Sequence, residues 1–195
     1  RLGLVGSEMC IRDRLNGVTG NQLLDDWWQS VEDVFNAYKD ADPKKRVKWG
    51  GPEMSARSKI TARHMETWAH GQEVFDALGK DREEKDRIKN IVHMGVIAYG
   101  WTFVNRKLAI PEPTPYIILN SPSGEVWEWN DKESSSKIEG TAIEFAQVVT
   151  QVRNFADTKL SITGEPAIEW MKYAQCFAGP PEDPPAKGTR YKVTS

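Results

Sequence analysis

The sequence predicts an α+β protein, with a helical region over residues 15–110 followed by a small α/β region over 111–180. Three observations carry that reading. Apolar residues recur every three or four positions from Asn21 to about Lys107, the spacing of helices with one buried face. Pro111-Glu112-Pro113-Thr114-Pro115 then interrupts the pattern, because proline offers no amide hydrogen and restricts the residue before it. Beyond it come short runs rich in β-branched and aromatic residues, separated by turn formers.

The elements follow in order. Residues 1–14 have neither helical nor strand periodicity and read as an adapter-derived or disordered segment, outside the fold. Leu23, Leu24, Trp27, Trp28, Val31, Val34, Phe35 and Tyr38 predict a first helix from Asn21, its N-cap, to the stop at Asp42-Pro43. Trp49-Gly50-Gly51-Pro52 predicts a turn, and a second helix runs from Ser55 to Leu78, ended by Gly79. A third is predicted from Arg82 to Lys107. Tyr116–Leu119 and Val126–Trp129 flank Ser121-Pro122-Ser123-Gly124 as a hairpin. A strand at 137–139, a helix from Ala142 to Val152, a strand at 159–162 and a helix from Pro166 to Phe177 complete the fold. Residues 181–195, rich in Pro and Gly at their start, are expected to form a mobile tail.

Composition narrows the function. Hydrophobic residues make up 39% and charged residues 28%, the balance of a water-soluble chain able to bury a core. The 26 Lys and Arg nearly cancel the 28 Asp and Glu, and no basic tract interleaves with aromatics, so charge does not support a nucleic-acid surface. No stretch approaches the ~18 consecutive apolar residues of a membrane span, and no secretory leader is recognisable, so a cytoplasmic protein is expected. Cys10 and Cys176 lack metal-ligand or redox spacing and read as free thiols.

The second helix carries the chemistry. Glu66 and His70 lie four residues apart, which at ~100° per residue sets them ~40° apart on one face, within reach of a common ion. Zinc accepts both donor types, and a catalytic zinc takes three protein ligands plus a water. The same spacing also suits a solvated hydrogen-bonded pair. His64 stands ~160° from Glu66 beside Ile60, Trp68 and Phe75, as a core-edge histidine. His93, on the third helix, is a further candidate at the cofactor site. The tryptophans Trp27, Trp28, Trp49, Trp68 and Trp101 fit a core better than a ligand box.

Trp49-Gly50-Gly51-Pro52-Glu53-Met54-Ser55-Ala56 followed by Thr61-Ala62-Arg63-His64-Met65-Glu66-Thr67-Trp68-Ala69-His70-Gly71-Gln72 resembles the metal-binding region of the DinB-like superfamily, specifically the mycothiol-dependent maleylpyruvate isomerase-like proteins. The likeness extends through His93-Met94-Gly95-Val96, Gly140-Thr141-Ala142 to Arg153, Ile162-Thr163-Gly164 and Ala174 to Pro180. Some members carry the label wyosine base formation.

The resemblance implies a four-helix bundle that holds a divalent metal, zinc, through two His and one Glu, followed by a small α/β domain. It maps the Glu and the second His onto Glu66 and His70. The family's first His lies on a helix upstream of Asn21, and no His precedes His64 here, so an N-terminally truncated bundle is expected. Also implied are mycothiol or another small thiol as cofactor, a small carboxylated substrate, and isomerase or transferase chemistry. Arg153 corresponds to the arginine that binds the substrate carboxylate; a helix-end arginine favoured by the macrodipole is the plainer role. A non-catalytic ligand-binding module and an inert fragment with an exposed apolar stripe remain the alternatives.

Overall fold

The apolar spacing from Leu23 to Tyr38 yields α1, Gly20–Tyr38, in the computed structural model of the chain, which describes residues 17–48 and 53–193. The expected adapter-derived segment 1–14 and the turn at 49–52 lie outside the described residues. The chain divides into two units, Arg1–Ile60 and Thr61–Ser195.

In the first unit α1 buries none of its residues. Its support is local: Gln22 donates to Asp26, Trp28 Nε1 to Glu32 and Gln29 to Asp33, each four residues on. Such pairs contribute about 0.2–0.5 kcal/mol apiece. The expected N-cap at Asn21 falls inside the helix; Thr19 holds the cap position in extended conformation without a side-chain capping bond. A two-stranded ribbon follows, β1 (Arg46–Val47) antiparallel to β2 (Met54–Ser55). Ser55 Oγ accepts from the Ser58 amide, which caps α2, Ala56–Ala77, near where the sequence predicts the start. An apolar groove lies between Val34, Phe35 and Tyr38 on one side and Pro43, Ala56 and Ile60 on the other.

The second unit takes over α2, whose end is set by Gly79 at φ 65°, a left-handed position that glycine adopts without a Cβ penalty. The predicted third helix is shorter and broken. Residues 80–85 are non-helical, a 3-10 turn covers Asp86–Ile88, and the helix proper is α3, Lys89–Ile97, followed after Ala98 by α4, Tyr99–Asn105. Local bonding explains the late start. Arg82 donates to the Trp68 carbonyl at 2.7 Å and lies over the Trp68 ring, and Trp68 Nε1 donates to Glu84 at 2.9 Å, so the chain is pulled onto α2 before a helix can begin.

The hairpin forms as predicted, β3 (Tyr116–Asn120) antiparallel to β4 (Val126–Trp129). β5 (Lys137–Thr141) adds to the other edge of β3 in parallel, and β6 (Ser161–Thr163) closes the sheet antiparallel to β5, in the order β4-β3-β5-β6. Ile117, Leu119, Trp127 and Ile138 form its buried face. On them lie α5 (Ala142–Val149), capped by Thr141 through the Glu144 amide, and α6 (Glu165–Tyr173), which begins with Pro166 in its first turn. Trp170 packs edge-on to Tyr99 at 5.0 Å and to Phe145 at 5.7 Å, joining α4, α5 and α6 in one core. The observed class is therefore α+β. The division between the units falls after Ile60, and α3 and α4, which precede Pro111, share the core of the sheet and its helices.

Residues 181–193, expected to belong to a mobile tail, make hydrogen bonds along the second unit. Gln151 donates to the Glu182 carbonyl, Asn154 to that of Pro185, the Gly188 amide to Asp157, and the Val193 amide to the Asp76 carbonyl. Of the tryptophans expected in the core, Trp68 is buried, but Trp27, Trp28 and Trp101 are exposed and Trp49 lies outside the described residues.

Candidate functional site around Glu66 and His70

The helical period of α2 turns Met65, Trp68, Ala69, Gln72 and Asp76 inward, and Glu66, His70 and Glu73 come to the edge of that buried stripe. His70 is the pivot. Its Nε2 stands 3.6 Å from Glu66 Oε2, and its Nδ1 stands 3.3 Å from Glu73 Oε2. The ring is partly exposed, yet Nε2 itself is shielded and makes no hydrogen bond with any described residue. Glu73 in turn receives the Arg190 guanidinium on its second oxygen.

The two donors fit a divalent ion. Nitrogen and oxygen ligands about 2.1 Å from one tetrahedral ion sit about 3.4 Å apart, close to the observed separation, and that separation is too long for a good hydrogen bond. The bond from Nδ1 to a carboxylate is the usual outer partner of a metal-binding imidazole. Burial raises the Glu66 carboxyl above its ordinary range, with His70 and then Arg63 pulling it back. A cation beside it would favour the ionised form. Among the described residues no group of three or more His, Cys, Asp or Glu side chains is placed to hold a metal. A catalytic zinc takes three protein donors, and the pair offers two.

The other predicted residues are placed as follows. Arg153 lies just beyond α5, and its fork is taken: Nη1 and Nη2 reach the two oxygens of Asp76 at 2.7 Å each, and Nη1 also donates to the Val152 carbonyl. Asp76 also accepts from Gln72 and is buried. His93 is exposed on α3. His64 is half-buried, as predicted, and burial lowers its pKa, with Arg87 and Arg82 adding to the effect. Cys176 is a free, buried thiol; burial pushes its pKa far up and the Glu66 charge adds to the shift, so it is not poised as a thiolate.

Sequence reasoning missed Glu73, Asp76 and Arg190. Glu73 could have been found, since it stands at i+3 from His70 on the same face. Arg190 gave no signal, because only the folded tail brings it to α2.

Residues 10–75 match the family described as mycothiol maleylpyruvate isomerase N-terminal domain, a stretch that includes Glu66, His70 and Glu73. Two uncharacterized proteins of Mycobacterium tuberculosis, from two strains, are each 36% identical over 167 residues, covering 86% of this chain and 65% of their own length. The chain therefore spans just under two thirds of these curated relatives. No solved structure matches. Among the described residues no helix is long and apolar enough to cross a membrane.

Proposed function

We propose that the chain, whose residues 10–75 match the mycothiol maleylpyruvate isomerase N-terminal domain family, is part of a cytoplasmic, metal-dependent protein of that DinB-like kind that works with a low-molecular-weight thiol. The observation that carries the reading is the unpartnered, shielded Nε2 of His70 facing Glu66. Glu66 and His70 would hold the ion, zinc by its donor chemistry. When bound, zinc lowers the pKa of a thiol or water ligand and supplies a nucleophile at neutral pH. The chain's own residues do the rest: Glu66 supplies the negative charge that offsets the ion, and His70 keeps a bare nitrogen toward it. The substrate in this proposal is a small carboxylated molecule, and the reaction an isomerisation or transfer in which mycothiol or a similar thiol takes part. His93 could enter only as a contact to the cofactor.

A specific observation supports a second reading, a module that binds metal or a small ligand without turnover. The arginine assigned to the substrate carboxylate is already paired with Asp76. Arg153 could then receive a substrate only by exchanging one carboxylate for another.

Zinc titration against a chromophoric chelator tests both. One-to-one binding that is lost in His70→Ala and Glu66→Ala supports the metal reading. Added thiol and a carboxylated substrate then separate turnover from binding alone. No zinc binding by this chain or by a version extended to the length of its relatives would sink the proposal.

A further inference from the structure

We propose that Glu73 and Arg190 are positioning residues that set the tautomer of His70, so that the C-terminal segment is a working part of the site rather than a cover for it. The inference deepens the metal reading and rests on it for its purpose, but the tautomer can be observed in the metal-free protein.

A neutral imidazole carries one proton on one of two nitrogens, and the hydrogen bond made by one nitrogen decides which. The Glu73 carboxylate, paired with Arg190, has only acceptor oxygens to offer, so its 3.3 Å contact with Nδ1 requires the proton there. That leaves Nε2 as a bare lone pair, shielded from solvent and 3.6 Å from Glu66 Oε2. The opposite tautomer would set two lone pairs against each other at Glu73. Its gain at Glu66 would be small, since that contact exceeds hydrogen-bonding distance.

Glu73 needs an orientation of its own. A Glu side chain on a helix surface samples several rotamers, and holding one costs entropy. Arg190 binds the oxygen of Glu73 that His70 does not use. Arg190 is brought there by bonds on either side of it in sequence: the Gly188 amide to Asp157 at 2.7 Å, Lys192 to Asp81 at 2.6 Å, and the Val193 amide to the Asp76 carbonyl at 2.9 Å. The tail therefore reaches the donor pair through one intermediate carboxylate.

Nitrogen-15 spectroscopy of the imidazole rings in the full, metal-free chain is the test, at about pH 8 where a histidine of ordinary pKa is neutral. The sequence has 3 histidines, so His70→Gln assigns the signal. The expected result is His70 protonated on Nδ1. Glu73→Ala should reverse the ratio in favour of the Nε2–H form, and Glu73→Gln, which keeps an acceptor oxygen, should preserve it. Arg190→Ala should shift the ratio the same way as Glu73→Ala, and Arg190→Lys should restore it. Zinc affinity of Glu73→Ala should fall about 10–100-fold, the usual effect of losing an outer-shell partner.

A wild-type His70 that is mainly Nε2–H would overturn the inference with no variant needed, as would a ratio unmoved by Glu73→Ala. An unmoved ratio in Arg190→Ala would remove the tail from it. The Nδ1–H form in the wild-type chain, with no zinc bound either by it or by the version extended to the length of its relatives, would leave the positioning intact and refute the metal reading instead.

Discussion

Replacing Asp76 by alanine should cost far more than an ordinary helix substitution. Its side chain is 10% exposed and that of Arg153 is 11% exposed, and the two share both oxygens and both terminal nitrogens at 2.7 Å. Removing the carboxylate leaves a shielded guanidinium without its counter-charge, a change worth about 3–5 kcal/mol. With a urea dependence of about 2 kcal/mol per molar, the unfolding midpoint should fall by about 1.5–2.5 M. The assay is equilibrium urea unfolding followed by fluorescence of the buried Trp68, Trp127 and Trp170. Asp76→Leu combined with Arg153→Met, which removes both charges and keeps apolar volume, should recover most of the loss. A midpoint shift under about 0.5 M for Asp76→Ala would refute the reasoning. It would mean that the Arg153 fork is effectively solvated and available to a substrate carboxylate.

A Cβ on Gly95 would lie 2.7 Å from Val149 Cγ2, so Gly95→Ala should destabilise by about 1–3 kcal/mol despite its better helix propensity. Gly100→Ala, whose nearest contact is Ile110 Cδ1 at 3.4 Å, should be neutral or stabilising; paired thermal melts decide. Burial and the nearby Glu112 charge push the Tyr99 phenol up to about 12, above its unfolded value of 10.0. The folded state then holds the proton longer, so stability should decline as pH rises from 10 toward 12, and Tyr99→Phe should flatten that decline in alkaline unfolding curves. On α1, Leu24, Trp28 and Phe35 are exposed at 60%, 56% and 65%, so Trp28→Glu with Phe35→Glu should reduce binding of a hydrophobic dye while leaving the unfolding midpoint of the second unit unchanged.

Much of the fold is readable along the chain because the signals are local. The i, i+3, i+4 spacing of Leu23 to Tyr38 gives α1, and Gly79 ends α2 because the left-handed turn there suits a residue without a Cβ. The turn at Ser121–Gly124 joins β3 to β4 as expected. The predicted helix over 82–107 fails at its start for a non-local cause. Arg82 and Glu84 find partners in Trp68, a residue fourteen positions and more away, and those bonds outweigh the helical preference of the segment. β5 shows the same limit: its strand character is visible, but its parallel pairing with β3 depends on where the chain returns.

The candidate site divides along the same line. Glu66 and His70 share a face of α2 by arithmetic, since helical geometry relates neighbours one turn apart whatever surrounds them. Nothing local announces that Arg153 is bound to Asp76, or that Arg190 holds Glu73. Each of those contacts joins residues more than seventy positions apart, and such pairs meet only after the intervening chain has packed. Helix faces, turns and the first two donors are thus written into short stretches of sequence. The engagement of Arg153 and the orientation of His70 belong to the packed molecule, because long-range ion pairs are chosen by where whole elements and the tail come to rest.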